Sequence, residues 1–397
     1  MEYATIDTMF AKPAIAALKR TIVRDSPTKS CILIKSDGLN VTLAAGCKLT
    51  LRYTFPLVEG SGAFEALVHG ETLDKLVQSH HDYGHSIFTV TNDGVSVSSA
   101  FADGNAKYTL FTEEFEPKWT REKFESAEMP HLADLSAPWL ANALMAVKDS
   151  VGAKQTYLNC AWVWRDGNGK ATMYSYDGKA ANGYKAPFDF GSSEPVFMPD
   201  VWTLPAVLGV FKSVKEGEWS FYANQYQVTA IHRNSHYSVE MRYSKSDKRI
   251  PEVLDYASTT VGFNPTQHFD GSFVVNAQSL AKVAAQVAGM YKKNGDLCGE
   301  SEYKYGNAVV LELKDGVLTV LANTKAGKRV FESTMPVALS ETSFSFAVDV
   351  DKLAAALRKF KKQDVVISYH PTKAIRIDSD ELPNVSWVSQ LGVKYED

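Results

Sequence analysis

The chain has 397 residues, 45% of them apolar and 22% charged, with a net charge of −4. That is the profile of an ordinary soluble globular protein of two to four domains, and the acidic balance, taken alone, argues against a nucleic-acid partner. No run of about 18 apolar residues offers a transmembrane helix. The first twenty residues, MEYATIDTMFAKPAIAALKR, lack the basic-then-apolar order of a secretory signal. Cys31, Cys47, Cys160 and Cys298 are far apart and form no C-x-x-C pair, so free thiols in a reducing cytoplasm are expected.

In chain order, the first predicted unit begins at Pro13. In PAIAALKRTIVRDSPTKSCILIKSDGLNVTLAAG a helix leads through a polar loop into a strand, a DG turn and a returning strand. Asp-Gly or Asn-Gly between alternating apolar residues marks a hairpin, because its turn needs positive φ at both central positions. The second unit starts at Leu73, where Leu73, Leu76 and Val77 have helical spacing before SIFTVTNDGVSVSSA. The charged, proline-containing EEFEPKWTREKFESAEMP (113–130) reads as a linker. The third unit, from Trp139, carries Leu140, Leu144 and Val147 on one helical stripe, then TYLNCAWVW and YSYDGKAANGY. The fourth starts at Leu204, with Pro205 expected in the first helical turn, where a missing N–H costs least. STTVGFNPTQHFDGS (258–272) reads as a second linker. The fifth unit runs from Leu280 and the sixth from Leu353.

The six units alternate between two types, so two make a domain and three domains make the chain: 1–125, 126–262 and 263–397. The six helical windows with their trailing loops (12–24, 72–82, 139–154, 201–215, 278–293, 351–362) hold seventeen basic and four acidic residues, a surplus of thirteen. The rest of the chain therefore carries −17. Helices gathered on one surface would make it strongly positive, and such a surface holds a polyanion by releasing counterions, without reading sequence. The blander reading is that each lysine complements a helix C-terminus.

Motifs of chemistry are scarce. There is no G-x-x-x-x-G-K-[ST] phosphate loop and no G-x-S-x-G elbow. His80, His81 and His85 could ligate a metal, but they fall in one helix-to-strand loop with no carboxylate cluster, so no metal and no cofactor is expected. Asp93, Asp166, Asp177 and Asp315 each precede a glycine in a repeated turn, which favours turn chemistry over a catalytic acid. Trp162, Trp164, Tyr174 and Tyr176 alternate along strands as packing or cleft lining.

Six helix-plus-strands units with basic helices, and the ordered series TYLNCAWVW, YSYDGKAANGY, FMPDVWTLPAVL and KSDKRIPEVLDY, resemble the bacterial DNA polymerase III beta subunit family, the sliding clamps, over the whole chain. The resemblance implies an α+β fold of three similar domains with helices on one face and antiparallel sheets outside. It implies a non-catalytic processivity factor. Two subunits would close into a homodimeric ring around double-stranded DNA in the bacterial cytoplasm and tether the polymerase. It places DNA contacts at Arg24, Lys154, Gln155 and Tyr157, and by helix position at Lys19, Arg20, Lys292, Lys293, Arg358 and Lys361. It also implies a cleft between the second and third domains that takes short peptides from the polymerase and the clamp loader. Leu158, Tyr176, Gly178, Lys179, Ala180, Ala181, Pro251, Val388, Gln390 and Leu391 match its positions. Two departures stand out: Lys179-Ala180-Ala181 replaces His-Arg-Leu after the turn glycine, and the chain ends VSWVSQLGVKYED rather than in a methionine- and proline-bearing tail. They fit a divergent member, such as a phage or mobile element would encode, with a wider cleft or a different peptide preference.

Two other classes compete. A β-rich enzyme acting on polysaccharide should carry carboxylates unique to one unit, and a structural assembly protein should lack the helix charge bias. Neither pattern matches as well.

Overall fold

The computed structural model describes residues 2–22, 30–46, 49–100, 107–111, 129–152, 159–166, 168–177, 180–245, 269–293, 307–323, 329–338, 343–370 and 374–389. Along them one motif, strand–helix–three strands, occurs six times. The first copy is β1 (Tyr3–Asp7), α1 (Thr8–Lys19), β2 (Cys31–Ser36), β3 (Asn40–Gly46) and β4 (Leu49–Pro56), with a short β5 (Glu59–Ser61) added. The second is β6 (Phe64–His69), α2 (Gly70–Gln78), β7 (His85–Thr91), β8 (Gly94–Ala100) and β9 (Lys107–Phe111). The third is β10 (His131–Ser136), α3 (Ala137–Val147), a 3-10 turn (Lys148–Ser150), β11 (Cys160–Arg165), β12 (Lys170–Tyr176) and β13 (Ala180–Asp189). The fourth is β14 (Val196–Asp200), α4 (Leu204–Ser213), β15 (Glu218–Ala223), β16 (Gln227–Arg233) and β17 (Ser238–Ser244). The fifth is β18 (Gly271–Asn276), α5 (Ala277–Lys293), β19 (Ala308–Lys314), β20 (Val317–Asn323) and β21 (Arg329–Pro336). The sixth is β22 (Phe344–Asp349), α6 (Val350–Arg358), β23 (Asp364–Tyr369), β24 (Ala374–Asp378) and β25 (Asn384–Ser389).

The strand ahead of each helix is new relative to the sequence reading. In two copies its last residue caps the helix: Asp349 accepts from the N–H groups of Asp351 and Lys352 at 3.1 and 3.2 Å, and Asn276 accepts from Ser279 N at 3.1 Å. The helix α1 starts at Thr8, so Pro13 lies in its second turn rather than at its start. Pro205 falls in the first turn of α4, as its chemistry demands. The turn acids act on backbone: Asp37 accepts from Leu39 N and Asn40 N, and Asp166 from Asn168 N and Lys170 N. Those backbone donors, Asn40 first and then Leu39, hold the Asp37 carboxyl below the usual range.

The chain forms two compact units, Met1–Asn142 with Ser192–Ser246, and Ala143–Gly191 with Asp247–Asp397. The first contains a five-stranded sheet, β5-β1-β7-β8-β9, and an eight-stranded one, β10-β15-β16-β17-β4-β3-β2-β6. Helix α1 packs on α2 and on α4. Strand β15 shows why its residues make a half-buried sheet: Trp219, Phe221 and Ala223 point inward while Glu218, Ser220 and Tyr222 do not. In the second unit one sheet runs β11-β12-β13-β25-β24-β23-β18 and another β21-β20-β19-β22, and α5 packs on α6. Val350, Leu353, Ala354 and Leu357 of α6 face Leu280, Ala284 and Val287 of α5 within a core completed by Phe273, Phe346 and Phe360.

Two rules of pairing organise both units. The leading strand of a repeat joins the sheet of its neighbour: β1 pairs with β7 and β6 with β2, and β18 pairs with β23 and β22 with β19. The last strands of repeats three apart then join into longer sheets, β4 of the first with β17 of the fourth and β13 of the third with β25 of the sixth. The β4–β17 seam holds a buried polar group. Glu240, opposite Arg52 in register, binds Arg52 and also Arg242 Nε, the latter at 2.6 Å.

Candidate nucleic-acid and partner surfaces

The helical windows divide into paired and unpaired cations. Each of their four acids is held by a base from the same set: Asp82 by Lys12 at 2.6 Å, Asp74 by Lys19 at 2.6 Å, Asp149 by Lys148 at 2.7 Å and Asp351 by Lys292 at 3.6 Å. Lys352 is taken by Asp177. Lys359 is largely buried and donates to the Ala146 carbonyl at 2.9 Å. Burial holds its amine down to about 8, against a partial opposing pull from Asp149 and Asp177. Eight bases, Arg20, Lys75, Lys212, Lys215, Lys282, Arg358, Lys361 and Lys362, are exposed and form no ion pair with a described residue. These can meet phosphate without first giving up a carboxylate.

Arg20 is placed rather than merely exposed. It caps the C-terminus of α1, donating its backbone N–H to Ala17 O at 3.1 Å, and its guanidinium lies on Gly209 in the middle of α4. A Cβ at Gly209 would collide with the guanidinium. Glycine inside a helix costs about 1 kcal/mol against alanine, and here the missing side chain is what lets the cation lie flat. No sequence signal marked Gly209; it reads as an ordinary weak point in a helix.

The expected DNA contacts are thus of three kinds. Arg20, Arg358 and Lys361 are exposed and unpaired among described residues, while Lys19 and Lys292 are engaged with Asp74 and Asp351. Lys293 ends α5, and its side chain is outside the description, as are Arg24, Lys154, Gln155 and Tyr157.

The expected cleft residues that can be described sit side by side in one sheet. Tyr176 of β12 is opposite Ala181 of β13, and Ala180 and Ala181 are opposite Val388 and Trp387 of β25. Tyr176, Ala181 and Val388 are fully buried and Ala180 nearly so. The small pair is a packing device. With Gly183, whose own Cβ would lie 2.7 Å from Val385 Cγ1 and 3.3 Å from the Trp387 ring, Ala181 makes room for the indole of Trp387 between strands. Leu158, Gly178, Lys179, Pro251, Gln390 and Leu391 lie outside the described residues. Asp177 is not an isolated acid: its Oδ1 accepts from Ala180 N at 2.9 Å and its Oδ2 binds Lys352.

The three clustered histidines separate. His80 is buried with Nδ1 2.9 Å from Ser86 Oγ, and burial, then Lys12, pushes it toward the neutral form. His81 packs on Tyr83, and His85 reaches Asp7 at 3.2 Å.

No family model matches the sequence, and no curated protein does. Solved structures do match in shape over nearly the whole chain. The DNA polymerase III beta subunit of Thermotoga maritima aligns with a TM-score of 0.75 at 14% identity, covering 99% of this chain and 100% of that one. The DNA polymerase sliding clamp of Pseudomonas aeruginosa gives 0.75 at 15% identity with the same coverage. The clamp of Bartonella birtlesii, solved with griselimycin, gives 0.72 at 15% over 99% and 100%. The chain therefore has the fold of the DNA polymerase III beta subunits, the sliding clamps.

Proposed function

We propose that this chain is a DNA sliding clamp, a ring-forming processivity factor that holds a replicative DNA polymerase on duplex DNA by topology and performs no reaction itself. The observation that carries the reading is the clamp fold over 99% of the chain, combined with cations on α1, α2, α4, α5 and α6, or at their ends, that are unpaired among the described residues. Arg20, Arg358 and Lys361 meet DNA phosphates directly. Arg24, Lys154, Gln155, Tyr157 and Lys293 extend that contact, while Lys19 and Lys292 stay with Asp74 and Asp351 beside it. The three domains are 1–125, 126–262 and 263–397.

Two copies close the ring. Strands β9 and β21 are outer strands of the two smaller sheets. β21 is eight residues long with alternating exposure, and an open edge of that length calls for a partner strand. The peptide cleft for polymerase and loader opens beside the β12–β13 turn and the end of β25, with Leu158, Lys179 and Leu391 at its mouth.

Sedimentation and electron microscopy test the ring: dimers and ring particles are expected, and a persistent monomer at micromolar concentration overturns it. Linear DNA tests the topology. Protein threaded onto DNA and trapped by blocked ends should stay bound in high salt and leave when the DNA is cut. Leu158→Ala with Leu391→Ala should weaken polymerase binding and leave the dimer intact; unchanged polymerase affinity means the cleft lies elsewhere.

A further inference from the structure

The first unit contains a cavity of about 580 Å³ that the clamp reading does not use. It is bounded by the start of α1 (Met9, Phe10, Pro13), the end of β4 (Tyr53, Phe55), the residues after α4 (Ser213 to Gly217) and the β16–β17 hairpin (His232 to Tyr237). The proposed polymerase cleft belongs to the other unit, so the two are separate sites. The volume lies within the 300–1,000 Å³ of ordinary ligand sites and exceeds what one side chain fills.

Its walls are aromatic. Phe10 stacks on His236 with centroids 4.7 Å apart and tilts against Tyr237, which also meets Tyr53 and Phe55. Met9 stands 52% exposed at the opening. Tyr53 is 3% exposed in the wall, and its hydroxyl lies beside that of Ser213, which donates to Val210 O at 2.7 Å and keeps its lone pairs free to accept. Burial keeps the phenol protonated, hence a donor. His232 is committed to donating from Nδ1 to Glu218 O at 3.0 Å. Around the opening, Lys215 and Arg233 are exposed and form no ion pair with a described residue, and Glu216 is the one acid lining the cavity. At the corresponding place in the second unit, where β13 parts from β25, Lys185 binds Asp378 at 2.7 Å and Leu382 packs onto the core.

We infer that this cavity is a second docking site, for a short linear peptide bearing an aromatic anchor flanked by acidic residues. The ring packs against the wall formed by Phe10, Tyr53 and Tyr237, and the peptide's carboxylates meet Lys215 and Arg233. The opposite charge at the opening selects an acidic partner over a basic one.

The test is fluorescence polarisation on the full chain, with labelled, end-blocked peptides Asp-Asp-Trp-Asp and Lys-Lys-Trp-Lys and with free indole-3-acetate as competitor. The acidic peptide should bind at least tenfold tighter than the basic one. Lys215→Glu with Arg233→Glu, two exposed positions that do not threaten folding, should weaken it at least tenfold with an unchanged melting temperature. Phe10→Ala should weaken it again. Three outcomes overturn the inference: no binding of the acidic peptide at millimolar concentration, equal binding by the charge-reversed protein, or binding of indole-3-acetate alone. Failure of ring formation would leave these results standing, since none of them depends on a second copy or on DNA.

Discussion

Arg20 and Lys19 are neighbours at the end of α1, yet they should behave differently toward DNA. Each cation that neutralises a phosphate adds about 0.9 to the slope of log affinity against log salt. Arg20 is exposed and unpaired among the described residues, so Arg20→Ala should flatten the slope by about that amount; between 50 and 200 mM salt, one such contact is worth about 3.5-fold. Lys19 is already bound to Asp74 at 2.6 Å, and the Asp74 side chain is only 9% exposed. The neutral pair Lys19→Met with Asp74→Asn should leave the slope unchanged. Gly209→Ala keeps every charge and pushes the flexible Arg20 guanidinium aside, so it should weaken DNA binding less than Arg20→Ala does. Fluorescence anisotropy of a labelled duplex across a salt series reads all three. An unchanged slope in Arg20→Ala, or an equal loss in the Lys19/Asp74 pair, would refute the division of the helix cations into free and engaged.

Three further outcomes concern stability. Glu240→Ala removes the buried carboxylate shared by Arg242 and the partly exposed Arg52 and should cost about 3 kcal/mol, read as a lower urea midpoint for the first unit. Gly183→Ala forces a methyl to within 2.7 Å of Val385 Cγ1 and should cost about 1–3 kcal/mol by overpacking; a neutral melting temperature would show that β25 moves aside. Lys359→Met should stabilise the protein at neutral pH by about 1–3 kcal/mol. The native amine, held down to about 8 by burial, is charged below that value in both states, and the folded state bears the cost. Above it the folded protein sheds the proton first, so the native chain recovers and the advantage of Met shrinks toward about pH 10. Urea titrations at several pH values check that sign.

The sequence showed the six helices, the DG turns and the sixfold repetition, because those rest on local spacing. It did not show the leading strands. YATID and FVVN are short and lie before their helices, and their partners are in the neighbouring repeat, so no local pattern announces the pairing. The charge surplus was legible as a sum, but not its division, since Lys12 with Asp82 and Lys19 with Asp74 are distant in sequence. Ala180 and Ala181 drew notice as small residues at a turn. Their packing against Val388 and Trp387 depends on a strand two hundred residues away, which a linear reading does not supply.

The exchange of leading strands bears on how the chain is made. Tyr3 of β1 sits opposite Thr89 of β7, so at roughly 5–20 residues per second the first strand waits about 4–17 seconds for its neighbour to emerge. The wait at the seams is longer, since Tyr53 must meet Val239 and Ala181 must meet Trp387. The first unit also takes up Ser192–Ser246 after skipping Ala143–Gly191, which belongs to the second. A nascent chain of this design carries unpaired apolar strands through most of its synthesis, and its demand for chaperones should fall only as the last residues leave the ribosome.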